Sequence, residues 1–300
     1  MATTTQPVTD VELLRRPNIP SADVRLPAVK DYEQVDNEII GTLHPTGQWF
    51  IGLGVAILFL VIGACAWAYQ IYTGLGVAGY NPPVMWGVYI VTFVFWVGIG
   101  HAGTLISAIL YLFRAGFRTT IYRCAEAMTV FAVMTAGLFP ILHLGRPWKF
   151  FWLIPYPNWR YIWPQMKSPL VWDVFAILTY LTISATFLYI GLIPDIAILR
   201  DRETNPIRKR LFAQLALGWR NTDREWRHFV RAYLFLAAFS TPLVLSVHSV
   251  VSFDFAMSDV PGWHTTVFPP YFVAGAIYSG IGMVLTIMIP LRKWFNLKHY

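Results

Sequence analysis

Charged residues are scarce in this chain, 13% of 300, where an ordinary soluble domain carries about 25%. The shortage excludes a water-soluble globular protein, which needs polar side chains to cover its surface. Cysteine is scarcer still: Cys65 and Cys124 are the only two, and neither has a CxxC neighbour. No iron–sulfur or zinc framework is therefore expected, and both thiols read as small apolar packing residues. Residues 1–47 lack the short apolar stretch of a cleaved leader. They are polar, with seven acids and four bases, and are expected to form a cytoplasmic N-terminal arm. Also missing are segments of about ten alternating residues, the mark of transmembrane barrel strands.

What is abundant is apolar. Hydrophobic residues make up 56% and the mean hydropathy is +0.50. Six runs, about 49–72, 84–113, 120–143, 170–194, 229–250 and 269–291, approach or exceed the roughly 18–20 residues that cross a bilayer. A helix satisfies its own backbone in lipid. The expected fold is all-α: a polytopic transmembrane helical bundle of six spans over residues 48–300.

The 23 Lys and Arg give the orientation. Arg15, Arg16, Arg25 and Lys30 precede the first span, Arg114, Arg118 and Arg123 cluster between the second and third, and nine bases occupy 195–231. Connections 73–83 and 251–268 hold none. The positive-inside rule puts the N-terminus in the cytoplasm. The net charge of +7 then records topology and calls for no nucleic-acid partner. One connection breaks the rule: 144–169 faces outward yet carries Arg146, Lys149, Arg160 and Lys167. It is rich in rings, Trp148, Trp152, Trp159, Tyr161 and Trp163 among them, and broken by Pro147, Pro155, Pro157 and Pro164. Interfacial anchoring accounts for the rings, as a short re-entrant or surface-lying segment; it does not account for the bases.

Ionisable groups inside spans are costly and mark function by default. The third span ends at His143, the fourth begins with Asp173 about one turn in, and the fifth ends near His248, with Asp254 just beyond. The topology places these four, from three helices, at one level near the outer surface. Two imidazoles and two carboxylates at a lipid boundary suit oxidation of a quinol, whose hydroxyls must lose protons as electrons leave. The alternatives are interfacial histidines with satisfied bonds and a capping role for Asp173. Ser168 and Pro169 already supply an N-cap and a first helical residue. Deeper lie His101, amid the small-residue pairs Gly98/Ala102, Gly100/Thr104 and Gly103/Ser107, and Glu126. They are read either as structural groups, Glu126 neutral or paired with Arg123, or as the start of an inner proton path.

The stretches "HAGTLISAILYLFR", "LFPILHLGRPWKFFWLIPYPN", "SPLVWDVFAI" and "HSVVSFDFAMS" resemble the NrfD/PsrC-type membrane subunits, most closely the ActC type of bacterial alternative complex III. The resemblance covers about residues 30–300. It implies a bundle with no haem or iron–sulfur group of its own, binding quinol, menaquinol or ubiquinol, near the outer face. His143 and Asp173 would act on the head group, with His248, Asp254 and Arg146 nearby. Electrons would pass to an extracytoplasmic iron–sulfur subunit and on to c-type haem subunits, beside further membrane subunits and lipid in the bacterial inner membrane. Proton translocation would involve His101 and Glu126. Family members usually have eight to ten spans, against six here. Two other functions remain open: a haem b subunit with His143 and His248 at matching depth as axial ligands and His101 without a partner at its own depth, or a passive membrane anchor.

Overall fold

A computed structural model describes residues 37, 41, 45–80, 87–153, 166–258, 262 and 264–295. Among them are seven α-helices: α1 (Gly47–Thr73), α2 (Gly87–Leu112), α3 (Arg118–His143), α4 (Pro169–Arg202), α5 (Pro206–Leu215), α6 (Asp223–Ala256) and α7 (Phe268–Trp294). All but α5 are long and apolar enough to cross a membrane. The chain is a multi-pass helical membrane protein, and the six spans expected are all found among the described residues. Most of the N-terminal arm, with Trp159, Arg160, Tyr161 and Trp163, lies outside the described residues.

The bundle is built around α2, which packs against α3, α6 and α7. Its glycines make this possible, since they let neighbouring backbones approach closely. A methyl group on Gly103 would collide with Thr129 and the Ala125 carbonyl on α3, and one on Gly280 of α7 would collide with Ala102 of α2. Around these contacts lies a core of Phe93, Val97, Leu105, Val133, Ile177, Tyr180, Val244 and Val251. By contrast α1 stands almost entirely outside the bundle, with Gln70 its one buried residue.

Two helices run further than hydropathy suggested. The fourth and fifth spans were expected over about 170–194 and 229–250, but α4 and α6 each continue to 34 residues. The reason is that charge ends an apolar run without ending a helix. Past Pro194, α4 carries Arg200 paired with the exposed Asp201 at 2.7 Å, so the charges are accommodated without ending the helix. At the start of α6, Thr222 and Glu225 form a reciprocal capping box. Between the two, α5 is capped by the Asn205 side chain and folds back along α4, with Tyr189 donating to the Leu215 carbonyl at 2.6 Å.

The aromatic connection begins as a 3-10 helix, Pro147–Leu153, following a turn at Gly145 with φ +66°. Trp148, Phe150 and Phe151 are exposed on it, as interfacial anchoring requires.

Replacing Gly280 by Val should separate α7 from α2 and cost about 1–3 kcal/mol, the usual range for overpacking. Thermal unfolding in detergent should show a lowered midpoint, while Gly282→Val, which meets open space, should leave it unchanged.

Candidate functional site

Asp173 lies one turn inside α4 and Asp254 near the end of α6. The helices are antiparallel and in register, with the Trp172 and Phe253 rings 6.3 Å apart, edge to face. This register brings the two carboxyl groups face to face within hydrogen-bonding reach. Two carboxylates offer each other only acceptors, so both oxygens of each stand without a donor, buried in the protein. Ser168 occupies the N-cap position of α4 with Pro169 following, so Asp173 is not used as a cap.

His143 ends α3 at nearly the same level. Gly137 of α3 lies beside Ile177 of α4; six residues outward on one helix and four on the other reach His143 and Asp173, a difference in depth of about 3 Å. The Nδ1 of His143 is buried without a partner, and its ring packs edge to face on Tyr80 at 5.5 Å. Tyr80 in turn meets Tyr89 edge to face at 6.2 Å, and the Tyr89 hydroxyl donates to the Gln70 side chain. The Gln70 amide donates to the Leu142 carbonyl at 3.4 Å, tying the outer end of α1 to the end of α3. Partial burial, with Tyr89 beside it, raises the Tyr80 phenol above its ordinary pKa, so it stays a hydrogen-bond donor. Gly87, at φ +46°, leaves room for the Tyr80 ring where any side chain would strike it.

His248 does not belong to this level. It precedes Asp254 by six residues on α6, about 9 Å inward, and its ring packs against that of His101 at 4.5 Å. The expectation of four groups at one depth fails for it because α6 runs on beyond residue 250. The same finding gives His101 the partner at its own depth that the sequence did not reveal. It also takes away the matched depth of His143 and His248 on which a haem-ligand pairing depended. His101 reaches the Val244 carbonyl through Nε2 and faces the Val97 carbonyl through Nδ1 at 3.3 Å. A neutral imidazole has one N–H, and the closer approach assigns it to Nε2. The ring thus fastens α2 to α6.

Inward from His101 further buried polar side chains follow in separate bonded groups. The Tyr180 ring lies 4.9 Å from His101, and its hydroxyl donates to the Gly100 carbonyl at 2.6 Å. Thr129 donates to the same carbonyl at 2.9 Å. Thr104 and Ser184 are bonded at 3.1 Å. One turn further in, Ser107 donates to Glu126 at 2.6 Å, as does the Tyr233 hydroxyl. Glu126 is 1% exposed and pairs with these two hydroxyls. Arg123 takes Asp195 instead, at 3.0 Å, so of the alternatives for Glu126 the pairing with Arg123 is not the one found.

Arg146 is exposed on the turn after α3, at the edge of the outer group and outside the carboxyl pair. Lys149 and Lys167 are exposed at the same end. Between α4 and α6 lies a groove of about 290 Å³, lined by Trp172, Ala176, Thr179, Val247 and Val250 among others. Its α6 wall continues one turn outward, from Val250 to Asp254. Sequence reasoning missed Tyr80, Tyr89 and Gln70. Of these only Gln70 carried a signal, an amide near the end of an otherwise apolar span.

Residues 76–298 match the family described as polysulphide reductase, NrfD. A putative membrane subunit of dimethyl sulfoxide reductase from Halobacterium salinarum is 29% identical over 238 residues, 79% of this chain and 50% of the relative. A subunit of selenate reductase from Mesobacillus selenatarsenatis is 22% identical over 234 residues, 75% of this chain and 53% of the relative. The chain spans about half the length of these curated relatives.

The substitution Gln70→Leu should release the outer end of α1 by removing its bonds to Tyr89 and Leu142. Cysteines introduced at the facing ends of α1 and α3 should then cross-link more slowly than in the parent, with the unfolding midpoint of the rest of the bundle retained.

Proposed function

The chain belongs to the NrfD (polysulphide reductase) family, and from that premise we propose that it is the quinol-oxidising membrane subunit of an alternative complex III-type electron-transfer complex in the bacterial cytoplasmic membrane. The observation that carries this reading is the set of unpartnered polar atoms at the outer end. His143 Nδ1 and all four oxygens of Asp173 and Asp254 are buried without hydrogen bonds, on three different helices. Buried polar atoms in native proteins are normally paired, and orphans converging at one level suit a ligand that brings its own hydroxyls.

A quinol has two such hydroxyls. Its oxidation releases two electrons and two protons and leaves the quinone. His143 and Asp173 act on the head group: the imidazole takes one hydroxyl proton, and the carboxyl pair takes the other. A proton on either Asp173 or Asp254 creates the hydrogen bond that the pair otherwise lacks, so uptake is coupled to a structural gain. Tyr80 holds the His143 ring from the other side. The groove between α4 and α6 fits the isoprenoid tail of menaquinol or ubiquinol, with its open side toward lipid and its outer end at Asp254.

The electrons leave singly to an iron–sulfur subunit docked on the outer face, and from there to c-type haem subunits and cytochrome c. Arg146, Lys149 and Lys167 form the docking edge, which explains bases on the face where the charge rule expects few. The buried series from His248 and His101 through Tyr180 and Thr104 to Glu126 is the route by which protons cross, should oxidation be coupled to translocation. The names of the two curated relatives favour a second destination for the electrons. In that reading the same quinol chemistry feeds a soluble reductase in place of cytochrome c.

In membranes carrying the assembled complex, His143→Ala and Asp173→Asn should each lower quinol:cytochrome c turnover roughly a hundredfold or more, the scale of a lost general base. Normal turnover in both, with the complex intact, would leave only an anchoring role. Charge reversal at Lys149 (Lys149→Glu) should weaken retention of the outer subunits during purification at low salt, while quinol binding measured by inhibitor titration stays the same. If the reductase destination is correct, cytochrome c reduction will be absent in the parent complex, while turnover with an artificial acceptor persists.

A further inference from the structure

The inner end of the bundle holds a feature that quinol binding does not use. Arg123 of α3 reaches α4 beside Gly191, where its Nη2 donates to the Gly191 carbonyl and to Asp195 at 3.0 Å. Its other terminal nitrogen, Nη1, is buried and unpartnered, and so is Oε2 of Glu126. Both atoms border the spot where a side chain at position 191 would begin: a methyl group there would strike Arg123 Nη1 and lie 3.4 Å from Glu126 Oε2. Gly191 is itself buried, so the spot is enclosed by protein.

A guanidinium nitrogen and a carboxyl oxygen thus lie on either side of the Gly191 backbone position without meeting. Pro194 has no N–H and leaves the Ile190 carbonyl, in the residue before Gly191, without its helical partner. A buried water is held by two to four such groups. We infer that a single water bridges Arg123 Nη1 and Glu126 Oε2 beside Gly191, whose missing side chain admits the guanidinium, and that through this water the buried carboxyl communicates with the aqueous side at Asp195. Asp195 is exposed, its side chain 53% accessible, and Arg123 is 29% accessible, so the ion pair forms the outer wall of the site. Behind it stand Glu126, Ser107 and Tyr233, the innermost members of the buried polar series. Tyr122, with the Arg123 guanidinium 4.9 Å from its ring centre and that of Arg118 at 4.1 Å, closes one flank.

The water site stands on this geometry alone; its service as a proton inlet rests on the proposed proton path from His248 to Glu126. A high-resolution map of the full chain in its complex tests the site directly. Density should lie within about 2.7–3.2 Å of both Arg123 Nη1 and Glu126 Oε2 in the parent, and should vanish in Gly191→Ala. A direct Arg123–Glu126 bond in the parent map, or an empty space there, overturns the site. If Gly191→Ala does not accumulate, the parent map decides by itself. For the inlet, proton uptake from the inner side by sealed vesicles should fall on the order of tenfold in Gly191→Ala, while quinol oxidation in uncoupled membranes is retained. Unchanged uptake in Gly191→Ala, set against loss in Glu126→Gln, removes the water from the path. Unchanged uptake in Glu126→Gln instead refutes the proton path and leaves the water site intact.

Discussion

In a bilayer no solvent is at hand to satisfy a buried polar group, so each must find a partner inside the protein. This chain meets the constraint on the face of α2. Gly98, Gly100 and Gly103 bring α3 and α7 so close that backbone carbonyls become partners for side chains of neighbouring helices. The Gly100 carbonyl alone accepts from Tyr180 and Thr129. Without that close approach, Thr104, Ser107 and Glu126 would be stranded in hydrocarbon. The polar interior and the glycine stripe are one feature seen from two sides.

The arrangement also separates two kinds of buried polar group. Most of those in the middle and inner parts of the bundle are bonded to one another or to carbonyls, and they hold the helices in register. At the outer end, Asp173, Asp254 and His143 are brought together by helix register and then left without donors or acceptors. The outer end thus gathers five unpartnered atoms from three helices, while others, among them His248 Nδ1, Arg123 Nη1 and Glu126 Oε2, are scattered deeper.

Much of this was legible before any coordinates. Membrane spans are a local property, set by some twenty consecutive residues, and all six appear where hydropathy places them. Asp173 and Asp254 could be matched because both lie close to the ends of helices on one side, and direction alone fixes their depth. His248 could not, because its depth depends on where α6 stops, and hydropathy ends several residues before the helix does. Tyr80 was invisible for a different reason. It lies in a connection, and its meeting with His143 is set by the Gln70 contacts and by a glycine at positive φ, neither of which has a sequence period. The pairing of His101 with His248 belongs to the same class, since two residues 147 positions apart meet only through the packing of α2 on α6.

The isolation of α1 carries a consequence for traffic within the membrane plane. Among the described residues α1 is buried only at Gln70, and a side chain added at Gly52, Gly54 or Gly63 would meet nothing within 4 Å. Along this length α1 is therefore uncovered, among the described residues, and it closes on the bundle at the Gln70–Tyr89–Tyr80–His143 junction. A hydrophobic molecule that entered along that face would meet the Gln70–Tyr89–Tyr80–His143 junction from the side of α1.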